Sequence, residues 1–268
     1  MALSQNFLCV ILAVALVQAE IVKDHQENVR YSQSDEFPQE LSGQFEGDMV
    51  LSEQQQRFLW SNKRTTLIGP SQRWPGGIVP VSIFESHFTS AQVEQIDKAM
   101  QLIQSHSCVK FVKRTVERSF VNITGDELGC YSSLGYHDIG QQILNVHPSP
   151  VGTGCFKLGE VAHLLLHILG FVHQHSAFDR DEYVDIVWDN IDPTKVTNFD
   201  RFSNNLVQDF GVPYDYDSVM HFDETAFSKN GKQTIVPKDP NARIGQREGL
   251  SDGDILKLNF MYECANKK

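Results

Sequence analysis

The alternation of hydrophobic and polar positions changes character several times along this chain. Residues 7–17 form an unbroken apolar run that leads into the small-residue sequence Val17-Gln18-Ala19. That length and ending predict a secretory signal cut after Ala19, too short to span a bilayer. An acidic, polar stretch follows at once, which argues against a buried core helix. Residues 20–64 show no aliphatic periodicity and are rich in Gln, Glu, Asp and Ser. From Trp74 the texture becomes globular. Residues 78–84 (IVPVSIF) read as a strand. Thr89 is placed to cap a helix, with Gln92 at the capping-box position and Val93, Ile96, Met100 and Ile103 as its apolar stripe. Residues 109–112 and 119–123 are strand-like. Residues 159–169 predict a helix that stops at Gly170. From about Asp179 the chain is dense in Asp, Asn, Pro and Gly, which predicts loops and short helices before a last amphipathic helix over 252–262. No internal repeat or low-complexity tract appears.

Composition narrows the class. With 41% hydrophobic and 21% charged residues, the chain is neither collagen-like, nor a long coiled coil, nor wholly disordered. Its 268 residues allow one large domain or two small ones. A net charge of −11 lacks the basic footprint that nucleic acid or anionic lipid requires. With no second apolar span, the mature protein is expected to be soluble, secreted and free of the membrane. Cys9 leaves with the signal. Cys108, Cys130, Cys155 and Cys264 remain, an even set that suggests two disulfides among three possible pairings. Asn122-Ile123-Thr124 is an N-glycosylation sequon. Residues 20–64 close on Asn62-Lys63-Arg64, a basic pair open to a trypsin-like or furin-like protease. Composition alone does not separate a pro-segment from a disordered tail there.

The chemistry concentrates between 162 and 173. On a helix His163 and His167 lie one turn apart on one face, so both imidazoles can reach one ion. Gly170 can end the helix in a left-handed conformation, and the chain then turns back to bring His173 as a third nitrogen. Three imidazoles and one open position is the layout of a catalytic zinc site. The full H-x-x-x-H-x-x-G-x-x-H spacing is far more specific than its first five residues.

Here the chain resembles the astacin family of metzincin zinc endopeptidases. Asp179-Arg180-Asp181-Glu182-Tyr183-Val184 after the third histidine, the stretch Tyr214-Asp215-Tyr216-Asp217-Ser218-Val219-Met220-His221, Ala226-Phe227-Ser228, Ile244-Gly245-Gln246-Arg247, Tyr262-Glu263-Cys264 and the opening Trp74-Pro75-Gly76-Gly77-Ile78-Val79-Pro80 all carry the likeness. The resemblance implies an α+β fold: an N-terminal mixed sheet with two long helices over a loop-rich C-terminal subdomain, and a zinc cleft between them. It implies a signal peptide over 1–19, a pro-segment over 20–64 and an astacin-like domain over 65–268. It makes His163, His167 and His173 the zinc ligands and puts Met220 under the metal. Phe45-Glu46-Gly47-Asp48 is similar to the family's F-x-G-D element, whose aspartate ligates zinc in the latent form, so Asp48 takes that role. Maturation would cut after Arg64 and expose Thr65, and the disulfides would be Cys108–Cys264 and Cys130–Cys155.

Four positions depart from the family. Leu164 stands where the family's H-E-x-x-H has its general-base glutamate. Phe222 stands where a tyrosine follows the Met-turn and stabilises the oxyanion. Gln174 replaces a glutamate that meets the freed N-terminus, and Ala177 replaces an arginine. No catalytic residue is therefore assigned, zinc binding is expected and peptide hydrolysis is not; the alternatives are an active zinc endopeptidase with unusual catalytic residues and a metal-free structural domain in which His163 and His167 are ordinary core histidines. A polypeptide substrate or an inhibitor in the cleft is the expected partner. Glu160 is the one candidate substitute base. At about 100° per residue it shares the histidine face of the helix, but about 6 Å along the axis from position 164. The alternative for Glu160 is a solvated first-turn residue favoured by the helix dipole.

Overall fold

The computed structural model describes residues 38–60, 69–138, 140–203 and 209–266. The expected signal over 1–19, the basic pair at 63–64 and Thr65 lie outside the described residues.

A six-stranded sheet dominates the first half. Its order is β1 (Met49–Val50), β5 (Cys130–Ser133), β6 (Gln141–Val146), β4 (Phe120–Thr124), β2 (Ile78–Ile83) and β3 (Lys110–Lys113). β5 runs antiparallel to β6 and every other neighbouring pair is parallel. Two helices pack on it. The first, Ser90–His106, begins as its sequence predicts: the Gln92 N–H donates to the Thr89 hydroxyl while Gln92 Oε1 accepts from the Thr89 N–H at 2.8 Å. Its buried face is centred on Ile96, Ala99 and Ile103. The second, Leu158–Leu169, is buried from Gly159 to its end and closes on Gly170 at φ 104°. These elements form the α+β mixed sheet and helix pair expected. Strands 78–84, 109–112 and 119–123 appear within a residue of their expected bounds.

β5 and β6 were not legible, because polar residues occupy their buried positions. Gln142 and Asn145 are buried, and their side-chain amides donate to the carbonyls of Gly135 and Gly129. Satisfied in this way, they cost little in the core, yet they hide the apolar run that would announce a strand.

The second half is loop-rich around a separate apolar cluster that includes Val184, Phe199, Phe222, Phe227 and Ile235. A two-stranded antiparallel ribbon, β7 (Val184–Ile186) with β8 (Ile235–Pro237), supports it. The last helix, Asp252–Met261, is capped by Ser251 and buries Asp254, Leu258 and Met261 on one side. The disulfides Cys108–Cys264 and Cys130–Cys155 are formed, with Cα–Cα distances of 5.1 and 5.7 Å. The first fastens the C-terminal end beside β3.

Residues 38–60 are folded and docked, which is incompatible with a disordered tail over that stretch. After β1 comes a helix, Glu53–Trp60. β1 adds to the free edge of β5: the Ser132 N–H donates to the Asp48 carbonyl at 2.8 Å, and Gln55 Nε2 donates to the Leu134 carbonyl at 2.8 Å. Asn122 is half-buried on β4, an interior strand of the sheet.

Candidate metal centre

One turn of the helix Leu158–Leu169 separates His163 from His167, and the left-handed Gly170 reverses the chain so that His173 returns to the same point. Each ring is held from behind. His163 Nδ1 donates to the Val219 carbonyl at 2.8 Å and His167 Nδ1 to the Phe171 carbonyl at 2.7 Å. His173 Nδ1 meets Glu46 Oε2 at 2.8 Å. The Val219 carbonyl is itself placed by Asp254, whose carboxylate accepts from the Val219 N–H at 2.9 Å and from the Ser218 hydroxyl at 2.6 Å. With Nδ1 protonated, every ring turns a bare Nε2 toward one centre.

Asp48 faces the three rings. Its Oδ2 lies 2.8 Å from His163 Nε2, and its Oδ1 lies 3.2 Å from His167 Nε2 and 3.1 Å from His173 Nε2. All four side chains are fully buried or nearly so. Burial acts to raise the Asp48 carboxyl, and positive charge at the three imidazoles outweighs it and holds it well below the usual carboxylate range. Burial drives His173 down to about 3 and lowers His167 as well, which disfavours their charged forms, so the positive charge that Asp48 responds to is one a cation among the rings would have to supply.

This donor set fits zinc. Four ligand atoms lie within 4.8 Å of one another, three nitrogens and one oxygen. The bare Nε2 atoms of His163 and His167 are 3.0 Å apart, close to the roughly 3.3 Å edge of a tetrahedron with zinc–nitrogen bonds of about 2.0–2.1 Å. Asp48 Oδ1 is buried without a hydrogen-bond partner. Two lone pairs aimed at each other beside an orphaned carboxylate oxygen call for a cation between them.

The model of the astacin peptidase family matches residues 66–263. The chain belongs to the astacin family. Seminal metalloprotease 1 of Drosophila melanogaster is 39% identical over 233 residues, 85% of this chain and 89% of that protein. Zinc metalloproteinase nas-13 of Caenorhabditis elegans is 38% identical over 193 residues, and there this chain spans 72% of itself but 41% of its relative. Among solved structures, high choriolytic enzyme 1, a hatching enzyme zinc-protease from Oryzias latipes, shares 35% identity at a TM-score of 0.64, covering 76% of this chain and 97% of the other. Zinc is the cofactor of this astacin-type centre, and the fold is the astacin metzincin fold.

The positions expected to depart from the astacin pattern have these surroundings. Leu164 is fully buried in the main core, and its carbonyl accepts from the Ser132 hydroxyl at 2.9 Å. The Phe222 ring stacks on His175 with centroids 3.8 Å apart and lies 4.5 Å from the His173 ring. It belongs to the C-terminal apolar cluster. Gln174 Oε1 already accepts from the ammonium of Lys257, whose burial lowers it against the opposing charges of Asp254, Asp215, Asp209 and Asp179. Nothing in the structure explains Ala177.

Glu160 is not a solvated helix-dipole residue. It is 2% exposed, and its Oε2 accepts from Arg247 Nε at 2.9 Å. A helix wheel makes a first-turn acid look like surface because it does not show what packs over it. Gly159 is what lets that cover approach: a Cβ there would meet the Arg247 carbonyl carbon at 2.2 Å. Sequence reasoning also passed over Glu46 and Lys257. Glu46 occupies the variable position of the F-x-G-D element, and Lys257 lies on the last helix, 83 residues from Gln174.

Proposed function

We propose that this chain is a secreted astacin-family zinc protein whose peptide hydrolysis is absent or severely impaired, and whose cleft binds a polypeptide substrate or an inhibitor. One observation carries the reading. The carboxylates that touch the three histidines, Asp48 and Glu46, both belong to the segment before Arg64. In the residues after it, position 164 is hydrocarbon and Glu160 is bound to Arg247.

Zinc bound to the three imidazoles supplies a polarised, acidified water. A positioned base that takes its proton is worth about 10²–10⁴ in rate. Leu164 can neither accept nor return that proton. An oxyanion donor is worth about 10²–10³, and Phe222 keeps the ring without the hydroxyl. Glu160 Oε2 is already engaged by the Arg247 guanidinium, which commits that carboxylate to an ion pair instead of to a proton on zinc-bound water. His163, His167 and His173 remain able to hold the ion, and Val219, Phe171 and Asp254 to hold the rings.

On this reading residues 1–19 are a signal peptide, 20–64 a pro-segment with Asp48 as zinc ligand, and 65–268 the metalloprotease-like domain freed by a trypsin-like or furin-like protease after Arg64. Among the described residues no helix is long and apolar enough to cross a membrane.

The test pairs zinc content with casein cleavage on one preparation beginning at Thr65. Stoichiometric zinc without turnover is expected. Turnover that disappears with a chelator and in His163→Ala would overturn the reading. A second reading, an active endopeptidase, draws on the docked pro-segment, since a capped centre suggests an activity worth restraining. It requires another base, and unchanged turnover in Glu160→Gln would exclude that residue.

A further inference from the structure

The three ligand rings are not oriented by the same kind of partner. His163 and His167 give their Nδ1 protons to backbone carbonyls, Val219 and Phe171, that belong to the catalytic-type domain. His173 gives its own to a side chain of the preceding segment. Glu46 Oε2 accepts from His173 Nδ1 at 2.8 Å, and Glu46 Oε1 accepts from the Ser176 hydroxyl at 3.0 Å.

The placement of Glu46 is specific. The side chain is fully buried. Its backbone sits at φ 47°, a left-handed conformation that a non-glycine residue keeps only where its surroundings over-determine it. Gly47 follows at φ 94°. This turn, closed by the Gly47 N–H donating to the Gln44 carbonyl at 3.0 Å, is what lets residues 46 and 48 address one centre from two sides. Asp48 faces the Nε2 atoms, and Glu46 reaches behind one ring.

We propose that Glu46 is a positioning residue for zinc: it fixes the His173 tautomer with Nε2 free, so that residues 38–60 retain the metal as well as covering it. Zinc then leaves the full-length chain more slowly than the chain beginning at Thr65. The physical ground is general. An outer partner on a ligating imidazole orients the ring and raises its basicity, and losing one costs about 10–100-fold in metal affinity. Either ionisation state of the Glu46 carboxyl leaves an oxygen that accepts from Nδ1–H. The inference rests on the zinc centre and is independent of whether peptide is hydrolysed.

The experiment uses the full-length, zinc-loaded protein and follows transfer of zinc to a chromogenic chelator. Glu46→Ala and Glu46→Met both remove the acceptor, and Met keeps most of the buried volume if Ala compromises folding. Each is expected to release zinc about 10–100-fold faster than the parent. Glu46→Gln retains an acceptor oxygen and should recover most of the retention, a rescue that a purely space-filling role would not produce. After trimming to Thr65 all variants are the same polypeptide and must release zinc at one rate. The proposal is overturned if Glu46→Met, with the parent's metal-free melting temperature, releases zinc at the parent's rate, or if Gln behaves no better than Met.

Discussion

Leu164 and Phe222 flank the histidine centre from two different apolar clusters, and each position is a single side chain with a chemical consequence. Leu164→Glu alone should restore little casein cleavage to the chain beginning at Thr65, because it supplies a base but no oxyanion donor and places a carboxylate in a dry core. Leu164→Glu with Phe222→Tyr should restore more, at least about tenfold over the single change. A double variant that binds zinc and stays inert would show that the cleft itself has been lost. Arg247 offers a cleaner residue-scale test of stability. Arg247→Ala leaves Glu160 buried without its guanidinium, and removing one partner of such a pair costs about 3–5 kcal/mol. Gly159→Ala pushes the same loop away and should destabilise by about 1–3 kcal/mol. Thermal unfolding of the two variants measures both.

At the scale of elements, the docked segment 38–60 is held in its middle by β1 on β5 and near its start by Glu40. Glu40 Oε1 accepts from the Phe227 N–H at 2.7 Å. Burial raises this carboxyl to about 7, with the Asp223 charge adding to the effect and the Phe227 N–H and Lys195 opposing it. An acid whose pKa is raised by docking binds more protons docked than free. Its contribution is therefore complete below about 4.5 and is lost as pH rises through about 7, up to about 3 kcal/mol in all. Hydrogen exchange over residues 38–60 should accelerate between pH 5 and 8, beyond the intrinsic rise, and Glu40→Gln should flatten that excess. No excess in the parent would mean that Glu40 does not couple docking to pH. The helix Leu158–Leu169 shows how legible an element can be. Its histidine spacing and its stop at Gly170 were visible because both follow from local geometry. β1 was not, since two residues have no periodicity, and it exists only because β5 presents a free edge.

Across the whole molecule, His163 and His167 on the helix Leu158–Leu169, His173 on the return after Gly170 and Asp48 from the preceding segment converge on one centre that could hold a metal ion. Stripping the metal should lower the melting temperature of the full-length protein by roughly 5–15 °C, restored by stoichiometric zinc. An unchanged melting curve would show that the four side chains hold their places without an ion. What the chain determined by itself was local and chemical. Helix periodicity, capping at Thr89, the left-handed stop at Gly170 and the spacing of three imidazoles depend on neighbours a few residues apart. The leucine at 164, between two of those imidazoles, is likewise read from the chain alone. Tertiary packing decided what depends on partners far along the chain. Arg247 turned Glu160 from a surface acid into a buried ion pair across 87 residues, and Glu46 reached His173 across 127. Burial and pairing are properties of whatever packs opposite, and no periodicity in a single strand or helix encodes its partner.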